Sequence, residues 1–476
     1  MILLIKLMFT LAVPILLGYC VIALISKTKL RISCLERFSL SWGAGIGLLG
    51  LGMFTMSLLG ISLNLPTILI PSLIVIIILA FYLLANRIPI FDMAAILKFF
   101  ISIVRIKNIK SRWQAIAEII LILLIALTIA HVFFDALVKP LLNFDDLWRQ
   151  GCIAKIIFST GKVFTEQSVE LAGPHPYLNP LSQAWIYMGL GVWNDALGKI
   201  IFPLCFASLV FIFYGGVRRY TGRFHALLFT YLLTALPLIV YHAGTAYSDL
   251  MQTFYYSAGI IYLFHWMNSR NDPDLYFSAI LLGIGNFVKQ TGIPLWLIAT
   301  VVLIIFLLIE DKRKLKQSGS FILISTIISS PWLLGPKSSL VSYLRLYSGK
   351  LLSLVTTSAN TASTIQPSEP LAYPPPTIMD ILIQLSKRMF TYADWQLLWF
   401  VLIAVIVVKW QKIIVSKLKY LLISIILFFA MMVYIFSSYG IYRFLLDGTL
   451  VHRAMMWQAP VALYLIAIAL LYDDRF

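Results

Sequence analysis

Apolar stretches of about 20 residues, the length that carries a helix across the hydrocarbon of a bilayer, recur from one end of this chain to the other. They fall at 4–26, 38–60, 66–86, 115–138, 197–216, 225–241, 251–267, 275–288, 293–309, 320–335, 396–408, 420–437 and 457–472, about 13 in all, with the run at 275–288 short. Lipid offers no partner to a backbone N–H or C=O, so each run must satisfy its own as a helix. The rest of the composition agrees. Of 476 residues 61% are hydrophobic and 12% charged, and the mean hydropathy is +0.92, which leaves too little polar surface to cover a water-soluble globule. The expectation is an all-α polytopic membrane protein of about 13 spans.

The formal net charge of +17 does not indicate a nucleic-acid binder, because the basic residues fall in short clusters between apolar runs, as in Lys312-Arg313-Lys314-Leu315-Lys316. They collect in alternate loops: at 27–37, at 87–112, at Arg218, Arg219 and Arg223, at Arg270, at 312–316 and at 409–419. The short loops 61–65 and 242–250 between them hold none. By the positive-inside rule the basic loops are cytoplasmic, the N-terminus is outside and Asp473-Asp474-Arg475 is inside. The first apolar run exceeds the core of a signal peptide and has no clear cleavage site, so it is read as a retained span. Residues 89–112 mix apolar and basic side chains as an amphipathic helix on the cytoplasmic face would. Cys20, Cys34, Cys152 and Cys205 have neither the spacing of a metal site nor that of a disulfide framework. No repeat and no glycine-rich phosphate loop is present, which argues against direct use of a nucleotide.

Two loops are long, 139–196 and 336–395, and both fall on the outer face. Loops of that length in a compact protein are usually functional. The second pairs a polar tract, 356–364, with the stiff Tyr373-Pro374-Pro375-Pro376, and is expected to order over a substrate. At the same outer boundary the sequence places Asp145 and Asp146; His175; His242, Tyr247, Ser248 and Asp249; Lys289 and Gln290; and Arg443, Asp447, His452 and Arg453. Acids, a lysine and arginines at one depth suit a reaction in which an anionic phosphate is held while a carboxylate accepts a proton. Each member also has a plainer reading. His175 between prolines would make a turn, Asp249 would cap a helix, Lys289 would snorkel to the interface, and Arg453 would pair with headgroups or with Asp447. Trp148, Trp185, Tyr187 and Trp193 would form an interfacial aromatic belt.

Order and spacing along this set carry a resemblance. The segment from Phe144-Asp145-Asp146-Leu147-Trp148-Arg149 to Gly161, after an apolar span, resembles the first outer loop of GT-C superfamily glycosyltransferases, in the branch of protein O-mannosyltransferases and aminoarabinose transferases. His175-Pro176-Tyr177-Leu178-Asn179-Pro180, the second acid in Tyr247-Ser248-Asp249, Gly283 to Gly292 with Lys289, and Asp447 to Pro460 with Arg453 are similar to its later motifs. The resemblance implies a GT-C-like helical bundle with 115–310 as the catalytic module, 1–114 as added N-terminal spans with the cytoplasmic amphipathic segment, and 311–476 as C-terminal spans with the second long loop. It departs from the family in the spans that precede the module.

The implied activity is that of an integral-membrane glycosyltransferase of the cell envelope, moving a sugar from a polyprenyl-phosphate donor to an acceptor hydroxyl of a glycolipid, glycan or protein. The reaction would take place on the periplasmic or lumenal face, a bacterial inner membrane being favoured over the endoplasmic reticulum. Asp145, Asp146 and Asp249 are the expected catalytic acids, with Asp145 as general base of an inverting displacement. Arg149, His175, Tyr247, Lys289, Gln290, Arg443 and Arg453 are the expected substrate-binding residues. No cofactor is signalled with certainty, although two or three carboxylates could hold Mg²⁺ or Mn²⁺. A lipid-linked O-antigen polymerase or ligase is the nearest alternative. A transporter or flippase is the other, disfavoured by the scarcity of charges within the spans.

Overall fold

The computed structural model describes residues 1–26, 32–88, 112–173, 175–310, 312, 315–334 and 376–471. The expected amphipathic segment at 89–111, most of the second long loop, the basic residues 27–31 and the C-terminal Asp473-Asp474-Arg475 lie outside them.

Every expected apolar run is helical. In chain order the helices are α1 (Ile2–Ser26), α2 (Cys34–Leu58), α3 (Leu65–Ala85), α4 (Arg112–Val138), α5 (Cys152–Thr160), α6 (Glu166–Ala172), α7 (Leu178–Leu190), α8 (Ile201–Arg218), α9 (Arg223–Thr234) and α10 (Pro237–Ala243). They continue as α11 (Ser248–Ser269), α12 (Asp272–Gly285), α13 (Gly292–Glu310), α14 (Leu315–Leu333), α15 (Ile378–Phe390), α16 (Leu398–Val408), α17 (Leu418–Phe436), α18 (Tyr439–Leu446) and α19 (Val451–Leu471).

The count of about 13 spans exceeds what length and hydropathy support. Among the described residues 8 helices are long and apolar enough to cross a membrane, or 9 if α9 and α10, bent by 70° ahead of Pro237, form one broken span. The other expected spans are α11, α12, α14 and α16. With 14 and 11 residues, α12 and α16 are short for a bilayer. The 22-residue α11 is long enough but polar, and its Ser248, Asp249, Gln252, Thr253, Ser257 and His265 are all buried against protein rather than offered to lipid.

That burial makes α11 the axis of the bundle. It is buried without a break from Ser248 to Met267 and packs most extensively on α12, α19 and α8. On the periphery α3 and α4 leave most of their apolar surface exposed, as lipid-facing helices do. The α1–α2 seam is close because it is built of small residues: a Cβ added at Gly45 would lie 1.7 Å from the Pro14 carbonyl oxygen, and one at Gly18 would lie 1.9 Å from that of Ser41.

Charges gather at both ends of the bundle. At one end Arg219 bridges Glu36 and Asp274 at 3.0 and 3.5 Å, and Arg223 meets Glu118 at 3.3 Å. Asp249 is at the opposite end of α11 from Arg270, about 30 Å away at 1.5 Å per residue. Asp249 and Arg270 thus mark opposite ends of the same helix.

Candidate active site

The chain leaves α4 at Val138, and at Asp145–Gly151 it winds into a wide helical turn of the i→i+5 type before tightening into α5. Gly161, with φ +67°, ends α5 in the left-handed region that glycine adopts at least cost. Within this turn the two adjacent acids face different ways. Asp145 lines a cavity of about 720 Å³, whereas Asp146 does not and is 1% exposed behind its wall. Asn143 Nδ2 donates to Asp146 Oδ2 at 2.9 Å, and Tyr241 O–H donates to Asn143 Oδ1 at 2.9 Å. Burial pushes the Asp146 carboxyl up to about 6, against the pull of Asn143, the Ala246 backbone and Lys199.

Three other junctions complete the site. Asp249 lies in the first turn of α11, Lys289 in the connection between α12 and α13, and Arg453 in the first turn of α19. Arg453 Nη1 is 2.6 Å from Asp145 Oδ2 and 3.6 Å from Asp249 Oδ2, while its Nε donates to Thr449 O at 2.8 Å and its plane lies over the Tyr247 ring. Lys289 Nζ donates to Asp249 Oδ1 at 2.5 Å and sits over the Trp457 ring. On the other flank Arg149 Nη1 is 3.5 Å from Asp145 Oδ1 and 3.1 Å from His175 Nε2. Because the guanidinium can only donate, His175 Nε2 must be the unprotonated acceptor. Burial, with Arg149 and Lys289 beside it, accordingly lowers His175 to about 4. The result is an alternating chain, Arg149, Asp145, Arg453, Asp249, Lys289, that carries one net positive charge. Asp249 is buried, so its charge needs the two cations beside it, while Asp145 and Arg453 are partly exposed to the cavity. Burial lowers the Lys289 pKa, although Asp249 opposes the shift.

Seven of the ten expected site residues therefore meet at one cavity: Asp145, Arg149, His175, Tyr247, Asp249, Lys289 and Arg453. Asp146, Gln290 and Arg443 do not line it. Arg443, on α18, is exposed and lies over its neighbour Phe444. The plainer readings fare unevenly. Lys289 does not snorkel but turns inward to Asp249. Asp447 is exposed and accepts from the Thr449 backbone and hydroxyl instead of pairing with Arg453. The proposed aromatic belt divides: Trp148 and Trp193 are exposed, but Trp185 and Tyr187 are in the core, where Trp185 Nε1 donates to Thr10 O at 3.0 Å.

Sequence reasoning missed Asp394, which faces the cavity from the turn Ala393–Trp395 and contacts His452. It follows the long second loop and belongs to no motif, so nothing in the sequence marks it. Among the described residues no three His, Cys, Asp or Glu side chains form a group able to hold a metal ion. Of the three cavity carboxylates, Asp145 and Asp249 meet arginine or lysine and Asp394 meets His452.

Residues 175–334 match the family described as dolichyl-phosphate-mannose-protein mannosyltransferase. The match covers about a third of the chain. The matched residues include His175, Tyr247, Asp249 and Lys289, whereas Asp145, Arg149 and Arg453 lie outside them. No curated protein matches the chain. Among solved structures, the chain resembles the crystal structure of ArnT from Cupriavidus metallidurans bound to undecaprenyl phosphate, at 14% identity over 75% of this chain, with a TM-score of 0.47. The chain spans 60% of the length of that protein.

Proposed function

We propose that this protein is a membrane glycosyltransferase that moves a sugar from a polyprenyl-phosphate donor to an acceptor hydroxyl at the extracytoplasmic end of the bundle. The observation that carries the reading is the alternating chain itself: Arg149, Arg453 and Lys289 converge, with Asp145 and Asp249 between them, on one cavity at the end of α11 opposite Arg270. The chain's single net positive charge complements a phosphodiester, which carries one negative charge. As the glycosidic bond breaks, charge builds on the leaving phosphate, and preorganised cations stabilise that state more than the ground state. Arg453 and Arg149 present forks suited to phosphate oxygens, and Lys289 adds a compact charge.

Asp145 is the general base in this reading. Both of its oxygens face guanidinium groups, so it accepts a proton well only after Arg453 has turned to the phosphate. Donor binding then frees the base, and the acceptor oxygen attacks the anomeric carbon opposite the departing phosphate with inversion. A base of this kind contributes about 10²- to 10⁴-fold. Asp249 holds Lys289 and Arg453 in register. Cationic side chains supply the charge that a metal ion would otherwise bring, so chelator should leave turnover intact; loss in chelator with recovery on adding Mg²⁺ or Mn²⁺ would overturn this point.

The deciding assay incubates purified full-length protein with a panel of radiolabelled polyprenyl-phosphate sugars and membrane extract as acceptor. Labelled glycolipid, glycan or protein supports the reading. Label that never leaves the donor, together with counterflow in proteoliposomes, would replace it with transport.

A further inference from the structure

Three carboxylates line the cavity, and two of them are covered by cations. Asp145 meets two guanidinium groups, and Asp249 meets an ammonium and a guanidinium. The third, Asp394, has no lysine or arginine ion-pair partner among the described residues, and its side chain is 36% exposed into the cavity. Its neighbour is the imidazole of His452, whose Nδ1 lies 2.8 Å from Asp394 Oδ2 but off the line of a straight hydrogen bond. The carboxylate therefore keeps accepting capacity for a ligand.

This pair is held from behind. Arg388, near the end of α15, places Nη1 3.4 Å from His452 Nε2 and donates through Nη2 to Leu446 O at 2.5 Å. The same guanidinium stacks over Tyr392, whose ring packs on His452 at 5.1 Å. Gly448, at φ +80°, leaves room for it, since a Cβ there would lie 2.7 Å from Arg388 Nη1. A carboxylate fixed in a cavity wall by such a shell is preorganised to accept O–H donors, and its charge makes those bonds stronger than neutral ones.

We propose that Asp394 and His452 form the edge that holds the hydroxyl groups of the sugar on the donor. The proposal rests on the glycosyl-transfer reading and adds a specificity-determining subsite to it. His452 directly precedes Arg453 on α19, and both line the cavity, so a ring joined to a phosphate on Arg453 has this edge beside it. A site built to bond hydroxyls discriminates, because a ligand without them gives up the charge-assisted bonds to the carboxylate. The phosphate end of the cavity binds any polyprenyl phosphate, and the Asp394 end reads what that phosphate carries.

The test compares two probes on the full-length chain in nanodiscs: undecaprenyl phosphate, and undecaprenyl phosphate bearing one mannose. Asp394→Ala should weaken binding of the mannosyl lipid tenfold or more and leave the bare lipid phosphate within twofold. Asp394→Asn, which keeps an acceptor oxygen, should lose less. Arg453→Gln should weaken both, as a phosphate ligand would. Equal loss for both lipids on Asp394→Ala, no loss for either, or equal wild-type affinity for the two overturns the subsite. Failure of the wild type to bind either lipid overturns the glycosyl-transfer reading itself.

Discussion

Single residues decide the chemistry here through the partners they are given. Asp145 and Asp146 are adjacent in sequence, yet one meets two arginines at the cavity and the other is buried behind it. In the proposed mechanism Asp145→Asn removes the base and also a competitor for Arg453, so transfer should fall by at least about 10²-fold while undecaprenyl phosphate binds as tightly or more tightly. Weaker lipid binding by a normally folded variant would show that Asp145 does not compete with the phosphate for Arg453. Asp146 makes a separate prediction in pH. Its folded value near 6 stands above the ordinary 3.8, so the unfolded chain ionises first and ionisation opposes folding as pH climbs through that window. Asp146→Asn lifts the penalty. Its stability relative to wild type should improve by about 2 kcal/mol between pH 4 and pH 7, at roughly 1.4 kcal/mol per pKa unit. Thermal melts across that range check the sign, and a flat difference would mean that Asp146 is solvated in the native state.

Helix geometry at the element scale explains why these residues meet. In the turn at Asp145–Gly151 adjacent side chains face different sides, and α11, α13 and α19 each begin at the site with a polar or charged residue in or just before the first turn. Farther away, the α1–α2 seam depends on two glycines whose missing side chains let the backbones touch. Gly45→Ala forces the helices apart, because its Cβ would meet a backbone oxygen that no rotamer change can move. A loss of about 1–3 kcal/mol is expected, the usual cost of overpacking. A lowered melting temperature with unchanged lipid selectivity would fit, since α1 and α2 contribute nothing to the cavity lining.

The whole molecule is polarised, with the alternating ion chain at one end of the bundle and the Glu36, Arg219 and Asp274 cluster at the other. If the basic end faces the cytoplasm, single cysteines in a background lacking the four native ones should separate by side. One at Tyr392 should react with a membrane-impermeant maleimide added to the outside of spheroplasts, and one at Arg218 only after lysis. The reverse pattern would invert the topology and place the chemistry in the cytoplasm.

At this scale the division between sequence and fold is clear. Apolar runs sufficed to locate every expected helix, because burying about 20 side chains in hydrocarbon leaves an unmistakable one-dimensional trace. Asp145, Asp249, Lys289 and Arg453 were legible because each is a charge next to such a run, where charges are costly and therefore informative. Span number was not, since α11 and α14 shelter polar side chains against other helices and hydropathy cannot tell a protein-facing serine from a lipid-facing one. Nor was the separation of Asp146 from Asp145, the inward turn of Lys289, or Asp394 at the far wall of the cavity. Those depend on which groups distant segments bring within hydrogen-bonding reach, and ion pairing acts over a few ångströms of space regardless of how many residues of chain intervene.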